Sequence, residues 1–526
     1  MKRRTFLGGL AGAAALGVGA AGRAVAAPAV VEDRRRAVVV GTGFGGAITA
    51  LRLGRAGVPT LLLERGIRWP TGPNADTFPR MFTPDRRAAW LSATPVLTGS
   101  PPGLWKPYTG VLDRVRGRGM DILCGAGVGG GSLVYHGMTI QPNAENFARS
   151  LPSVLDHDAF DRDYYRRVAA VLQPAPIPDD VLAAPEYRSS RQFLGRVAAA
   201  GLEGFRVPLP LDWEFARKEL RGEAARSYTT GDVIYGANNG GKRSVDVTYV
   251  AAAEATGHVE LAVLHVVRDI ERDGSGRWVV HVDRIDTDGA VQERKRIVTD
   301  ALFLGAGSAG TTRLLVKAKA KELVPDLPDG VGSRWGNNGD RIYSWTPIGD
   351  SPGALQGGPA CVGVKDWANP AAPLTVIQGG VPFPVDLGTT SVIGFGLVEP
   401  RGEFRYDPVQ DDAVLHWSQA YDATLTAAIQ ERIRSIVGGG TLTGGVLNPT
   451  LDTTAFDTTT YHPLGGATIG DVCDPYGRVL GQRGLYVTDG ALIPGSTGAC
   501  NPSLTIAALA ERNMDAVVTQ DVGPVF

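Results

Sequence analysis

The sequence predicts an α/β domain built on a parallel sheet, interrupted along the chain by a second, α+β domain with a large antiparallel sheet. Three observations lead there. An apolar run at 37–40, a helical run at 47–53 and a second apolar run at 58–63 form a strand–helix–strand unit, with Gly41, Gly43 and Gly46 at the G-x-G-x-x-G spacing. Another buried strand enters a glycine turn at 301–310, far along the chain. Between 340 and 450, strand-like runs alternate with Pro/Gly-rich connections, as antiparallel pairing requires.

In the first unit each glycine has a task. Gly41 makes the tight turn, Gly43 lets backbone approach a pyrophosphate, and Gly46 lets helix pack on strand; Phe44 and Gly45 complete the turn. The helix start then offers unpaired N–H groups to phosphate. Glu64 closes the second strand, where a carboxylate can accept both hydroxyls of an adenosine ribose and would repel a 2′-phosphate. The spacing indicates a dinucleotide without separating FAD from NAD.

Residues 1–27 read as an export signal, not as fold. Arg3-Arg4 precedes Phe6-Leu7, a Gly/Ala-rich apolar stretch follows, and Ala24-Val25-Ala26 fits a cleavage site. Twin-arginine export carries folded proteins, so the expectation is a secreted, periplasmic or otherwise extracytoplasmic protein that uses the twin-arginine export machinery. The remaining chain of the 526-residue sequence is too long for one core. Hydrophobic content of 43% and charged content of 20% suit a globular enzyme, and a net charge of −1 gives no footprint for nucleic acid. The four cysteines, Cys124, Cys361, Cys473 and Cys500, show no metal spacing and read as free and buried rather than as a disulfide framework; no metal is expected.

Further along, a second glycine-rich loop comprises Gly127, Gly129, Gly130, Gly131 and Ser132 and runs into Tyr135, His136, Gly137 and Met138. Such density implies close backbone approach to something flat or charged. Helical segments follow at 158–172 and 190–200, then a β-meander at 258–267, 277–284 and 291–299. The strand at 301–304, with Gly305 and Ala306 in its turn and a helix at 311–319, belongs back in the first sheet. Strands at 372–381, 391–399 and 413–417 and a helix at 423–437 read as the second domain.

Near the C-terminus stand Tyr461-His462-Pro463-Leu464-Gly465-Gly466, then Asp489-Gly490, then Asn501-Pro502-Ser503 opening a helix to about residue 520. Asn501 suits an N-cap and Pro502 the first helical position. That helix start can stabilise the negative charge of a reduced flavin. The resulting division assigns 35–75, 108–155, 240–325 and 455–526 to a Rossmann-like dinucleotide-binding domain, and 76–107, 156–239 and 326–454 to a substrate domain.

Taken together, these motifs resemble the glucose-methanol-choline (GMC) oxidoreductases, and more closely their bacterial cholesterol oxidases that hold FAD noncovalently. Besides the stretches above, Gly110-Val111-Leu112-Asp113-Arg114-Val115, Phe303-Leu304-Gly305-Ala306-Gly307-Ser308, Leu485-Tyr486-Val487-Thr488-Asp489-Gly490 and Ala508-Leu509-Ala510-Glu511-Arg512-Asn513 carry the likeness. The resemblance implies FAD, a six-stranded antiparallel sheet over the flavin, and oxidation of a secondary, sterol-like alcohol drawn from membrane or lipid, with O₂ reduced to H₂O₂. It implies that His462 meets the substrate hydroxyl and that Asn501 touches flavin and reacting centre from the other side. Gly129, Gly130 and Gly131 would line the flavin, Glu64 would hold the ribose, Val267 would meet the adenine, and Asp489 and Gly490 would lie near ribityl and pyrophosphate.

Three departures bear on substrate. The family glutamate that shifts the sterol double bond falls at Thr375-Val376-Ile377-Gln378, so Gln378 takes its place, and an amide is no base. Ala499-Cys500 precedes Asn501 where the family has Gly-Val, and Tyr135-His136 stands where it has Asn-Gly. Efficient isomerisation is therefore not expected, and His136 is expected to line the pocket. Alternatives are a dehydrogenase or tailoring enzyme acting on a non-sterol alcohol or specialised metabolite, a flavin lyase or isomerase, and a non-catalytic sterol- or FAD-binding protein.

Overall fold

The strand Val30–Val40 lies between Thr60–Leu63 and Val291–Leu304 and runs parallel to both. The computed structural model describes residues 30–94, 105–438, 441–444 and 458–526, so the segment read as an export signal lies outside the described residues. Helix Phe44–Arg55 links the first two strands. The full seven-stranded sheet adds Val259–Ala262 beyond Thr60–Leu63, and Trp278–Ile285 then His265–Arg272 beyond Val291–Leu304; Leu485–Val487 also pairs with the last turns of Val291–Leu304. Val40 is level with Leu63 and with Leu304, and Leu304 with Val487. The ends of four parallel strands therefore deliver Gly41, Glu64, Gly305 and Thr488 to one edge, where such sheets bind ligands.

Two strand expectations change. Residues 291–299 and 301–304 form one 14-residue strand. Its first half is partly exposed, and its second half is buried apart from Asp300. The run at 258–267 divides instead, because Leu264 adopts φ +60° and turns the chain from the parallel edge into the meander.

A second sheet is antiparallel throughout, in the order Thr441–Gly444, Arg341–Thr346, Thr390–Gly396, Leu374–Gly379, Val362–Asp366, Gly204–Arg206. Helices Arg188–Ala199 and Ala423–Val437 pack on one face of it. The latter matches its expected bounds and ends at Gly438, whose φ of +64° makes the left-handed cap. The two sheets have separate hydrophobic cores, one around Val38, Leu62, Leu302 and Leu509, the other around Trp345, Val376, Phe395 and Ile433.

Between them, Thr459–Thr460 pairs with Asp121–Gly125, which in turn pairs with Leu112–Val115. This small sheet brings the segment before His462 against the strand that feeds the second glycine loop. Among the described residues, no helix is long and apolar enough to cross a membrane, and no cluster of side chains could hold a metal ion. All four cysteines are free; Cys361, Cys473 and Cys500 are buried and Cys124 half-buried.

Candidate active site

One cavity of about 760 Å³ runs along the strand ends and under the second sheet. Gly41, Gly43, Phe44 and Gly45 line it with Glu64, Val267, Gly305, Ala306, Asp489 and Gly490; further along come Gly130, Gly131, Tyr135, His136, Gly137, Met138, His462, Asn501, Pro502 and Ser503. Residues from all four glycine-bearing segments thus share one space.

Not every expected cofactor residue reaches it. Gly46 sits behind the turn, where a Cβ would strike the Gly41 carbonyl, so its task is packing. Gly127 abuts Trp69, Gly129 abuts Asp246, and the Ser132 hydroxyl donates to the Gly129 carbonyl while accepting from the Val245 N–H. These three shape the loop from behind, because alternate backbone atoms of a tight turn must face its protein side.

Glu64 is 5% exposed, and its carboxylate is already engaged by the protein. One oxygen accepts from the Thr42 hydroxyl, the other from the N–H groups of Gly66 (2.8 Å) and Gly127 (3.2 Å). Thr42 Oγ1 in turn accepts from Gly129 N–H at 3.0 Å. Glu64 and Thr42 therefore pin the two glycine loops together, a role the spacing did not reveal. Burial raises the carboxyl's proton affinity, against the lowering effect of these donors.

Lys242, a lone lysine after two glycines, carries no signal in the sequence. Its Nζ donates to the carbonyls of Leu133 (2.8 Å) and Tyr135 (2.7 Å) and lies 4.8 Å over the Tyr135 ring. Burial pulls it down to about 7. The ammonium braces the loop from outside the cavity. His136, inside, is pulled down to about 4 by burial first, then by Lys242 and His462, and is neutral at physiological pH.

His462 lies on the cavity wall with its side chain 13% exposed. Its Nδ1 is 2.7 Å from Asp340 Oδ1. Tyr461 packs on the ring at 4.6 Å and Phe395 at 6.0 Å. Nε2 is the nitrogen left for chemistry. Asp340, 1% exposed, precedes the strand Arg341–Thr346; in the sequence a single Asp in Asn337-Asn338-Gly339-Asp340 reads as turn chemistry.

Two expected catalytic residues, Asn501 on the cavity wall and Gln378 off it, are engaged by the protein itself. The Asn501 amide accepts from Ile140 N–H at 3.1 Å and donates to the Met138 carbonyl and to Ser503 Oγ. Both its amide hydrogens are used within the protein, so it braces 138–140 and has no donor left for a substrate. Nor is it the N-cap: the helix is Ser503–Gln520, Pro502 takes the cap position, and no side chain caps it. Gln378 does not face the cavity. Its amide meets Ser190 Oγ (2.8 Å), Ser189 Oγ (3.3 Å) and Thr390 Oγ1 (3.0 Å) beneath helix Arg188–Ala199. The strand alternates, and the cavity side of the second sheet shows Gly379, Ile342, Ser391 and Ile393 instead.

Residues 398–510 match the family described as GMC oxidoreductase. The chain is 26% identical to a cholesterol oxidase of Mycobacterium tuberculosis over 90% of this chain and 89% of that protein. It is 22% identical to a cholesterol oxidase of Acinetobacter baumannii, covering 91% and 94%. Its fold is similar to the crystal structure of pyridoxine 4-oxidase from Mesorbium loti, with a TM-score of 0.59 at 16% identity, covering 91% of this chain and 98% of the other. The match over 398–510 and these relatives together support an oxidoreductase acting on CH–OH groups, as GMC oxidoreductases do.

Such enzymes are flavoproteins that generally use FAD, and the cavity fits that group. A Cβ at Gly43 or Gly131 would meet no atom within 4 Å, so the space before both backbones is open. Helix Phe44–Arg55 starts with no side-chain cap, leaving its first N–H groups for a pyrophosphate.

Proposed function

We propose that the protein is an exported, FAD-dependent alcohol oxidase of the cholesterol-oxidase type, which converts a secondary, sterol-like alcohol to a ketone and passes the electrons to O₂. The observation that carries this reading is His462 on the wall of the cavity, with Nδ1 held by Asp340 and Nε2 free. The names of the curated relatives support a sterol. FAD, when bound, supplies the hydride acceptor.

The chain's own residues do the rest. The N–H groups after Gly43 and in the first helix turn would hold the pyrophosphate, and the Val267 backbone would border the adenine. Ile342, Ile393 and Val381 shed water around an apolar substrate. His462 Nε2 accepts the hydroxyl proton as the alcohol carbon is oxidised. The carboxylates lining the cavity are Glu64, Asp113, Asp412 and Asp489, and none lies on the six-stranded second sheet. No base of that sheet is placed to move a sterol proton, so the product is the unconjugated ketone.

FAD is held noncovalently, and acid precipitation should release all the yellow colour; colour retained on the protein would make His136 an attachment site. Export rests on the Arg3-Arg4 segment, and the mature protein should begin near residue 27. A non-sterol alcohol is the second reading, favoured by the bulk of Tyr135 and His136 on the cavity wall.

Anaerobic mixing with cholesterol, followed at the oxidised-flavin band, tests the proposal. Bleaching with an unconjugated ketone, then O₂ uptake and H₂O₂ on aeration, is the expected result. Absence of bleaching by sterols but bleaching by a smaller alcohol would establish the second reading.

A further inference from the structure

We propose that Asp340 is a positioning residue that makes His462 a base, by fixing the imidazole in the tautomer that carries hydrogen on Nδ1 and presents the Nε2 lone pair to the cavity. This rests on the alcohol-oxidation reading above.

The two oxygens of Asp340 have different surroundings. Oδ2 accepts from Thr460 Oγ1 (2.8 Å), Tyr461 N–H (3.1 Å) and His462 N–H (3.0 Å). Backbone N–H groups only donate, so this position admits only an acceptor. Oδ1 faces His462 Nδ1 at 2.7 Å, and a carboxylate accepts there too. Nδ1 must then carry the hydrogen. Tyr461 and Phe395 pack edge-on against the ring at 4.6 and 6.0 Å and restrict the rotation that would swing Nδ1 away from Asp340 and put a ring carbon in its place.

The same carboxylate answers the charge that appears when the substrate O–H bond breaks and the Nε2–H bond forms. The charged and titratable groups around the ring are Asp340, Tyr461 and His136, with Lys242 behind His136. Arg341, next in the chain, is taken by Asp422 at 2.8 Å in a buried ion pair. Asp340 is therefore the counter-charge nearest His462.

The decisive comparison is Asp340→Asn against Asp340→Ala. In the Asn variant the three donors retain the amide oxygen at the Oδ2 position. The NH₂ group then faces Nδ1, which must accept, and the hydrogen moves to Nε2 where the lone pair is needed. In the Ala variant either tautomer is open. We expect Asp340→Asn to bind FAD and to be reduced by alcohol at least about 10³-fold more slowly than wild type, as wrong-tautomer variants are. Asp340→Ala should melt at a lower temperature yet react faster than Asp340→Asn. A merely structural carboxylate gives the opposite order, with rate following stability.

A second readout does not depend on turnover. Long-range ¹⁵N–¹H spectra of histidine-labelled protein, with His462→Ala for assignment, should place the ring hydrogen on Nδ1 in wild type and on Nε2 in Asp340→Asn. The same tautomer in both, or an Asn variant within about threefold of wild type, overturns the inference. If no alcohol reduces wild-type flavin, the functional reading fails while the spectra still decide the role of Asp340. If the Ala variant does not fold, the Asn variant's rate and tautomer decide it.

Discussion

Gln378 and Gly379 are neighbours on one strand and face opposite sides of the sheet: Gly379 lines the cavity, and Gln378 is sealed among Ser189, Ser190 and Thr390. The amide is thus part of the packing between sheet and helix. Gln378→Ala should leave the rate of flavin reduction within about threefold of wild type. It should lower stability by about 1–3 kcal/mol, the cost of stranding buried hydroxyl partners, as read from denaturant unfolding. Gln378→Glu should not create isomerase activity, since the new carboxylate would still point away from the substrate; conjugated enone from that variant would contradict this placement.

His462→Ala should purify yellow, because the glycine cradle and first helix turn hold FAD without it. Flavin reduction in stopped flow should slow by at least about 10²-fold, the usual worth of a positioned base. Near-normal reduction would remove His462 from the chemistry.

Two glycines separate architecture from binding. Gly41 has φ +94°, and a Cβ there would lie 2.4 Å from the Gly305 carbonyl oxygen. Gly41→Ala should destabilise the fold by about 3 kcal/mol or more and yield little soluble protein. At Gly131 a Cβ meets no protein atom within 4 Å. Gly131→Ala should keep wild-type stability as apoprotein yet bind FAD more weakly, since the methyl enters the space before the backbone. Equal losses of stability in both variants would refute the distinction.

Asp489 is 4% exposed, and burial pushes its carboxyl up to about 6, although Thr311 and the Ala491 N–H hold the charged form. A carboxyl that binds its proton more tightly when folded makes the folded state lose stability as pH rises between its unfolded and folded values. Relative to Asp489→Asn, the apoprotein should therefore lose up to about 3 kcal/mol between pH 4 and pH 6 and change little above, as urea unfolding at each pH would read. A wild type that gains stability relative to Asp489→Asn as pH rises would reverse the assignment.

Much of the fold was legible because local chemistry fixed it. The glycine spacing and flanking apolar runs yield the strand–turn–helix at 37–53, inside the observed Val30–Val40 and Phe44–Arg55, and the 3.6-residue period yields Ala423–Val437 to the residue. Other boundaries depended on partners. Gly204–Arg206 joins the second sheet from a segment that reads as helices and loops, since a three-residue edge strand has too short a pattern to stand out. Leu264 breaks the run at 258–267 by a backbone angle that side-chain alternation does not encode.

For the site, the sequence by itself determined which backbones must be bare and which imidazole stands in a recognisable context: Gly41, Gly43, Gly131 and His462 all reach one cavity. These are local requirements of turns and close approach, and composition records them directly. Only the tertiary structure decided which way each side chain turns. A strand's alternation sends Gln378 to the helix side, the backbone of Met138 and Ile140 consumes the amide of Asn501, and a loop more than 100 residues before His462 supplies Asp340. Long-range pairing is set by register and packing between distant segments, and a linear pattern carries neither.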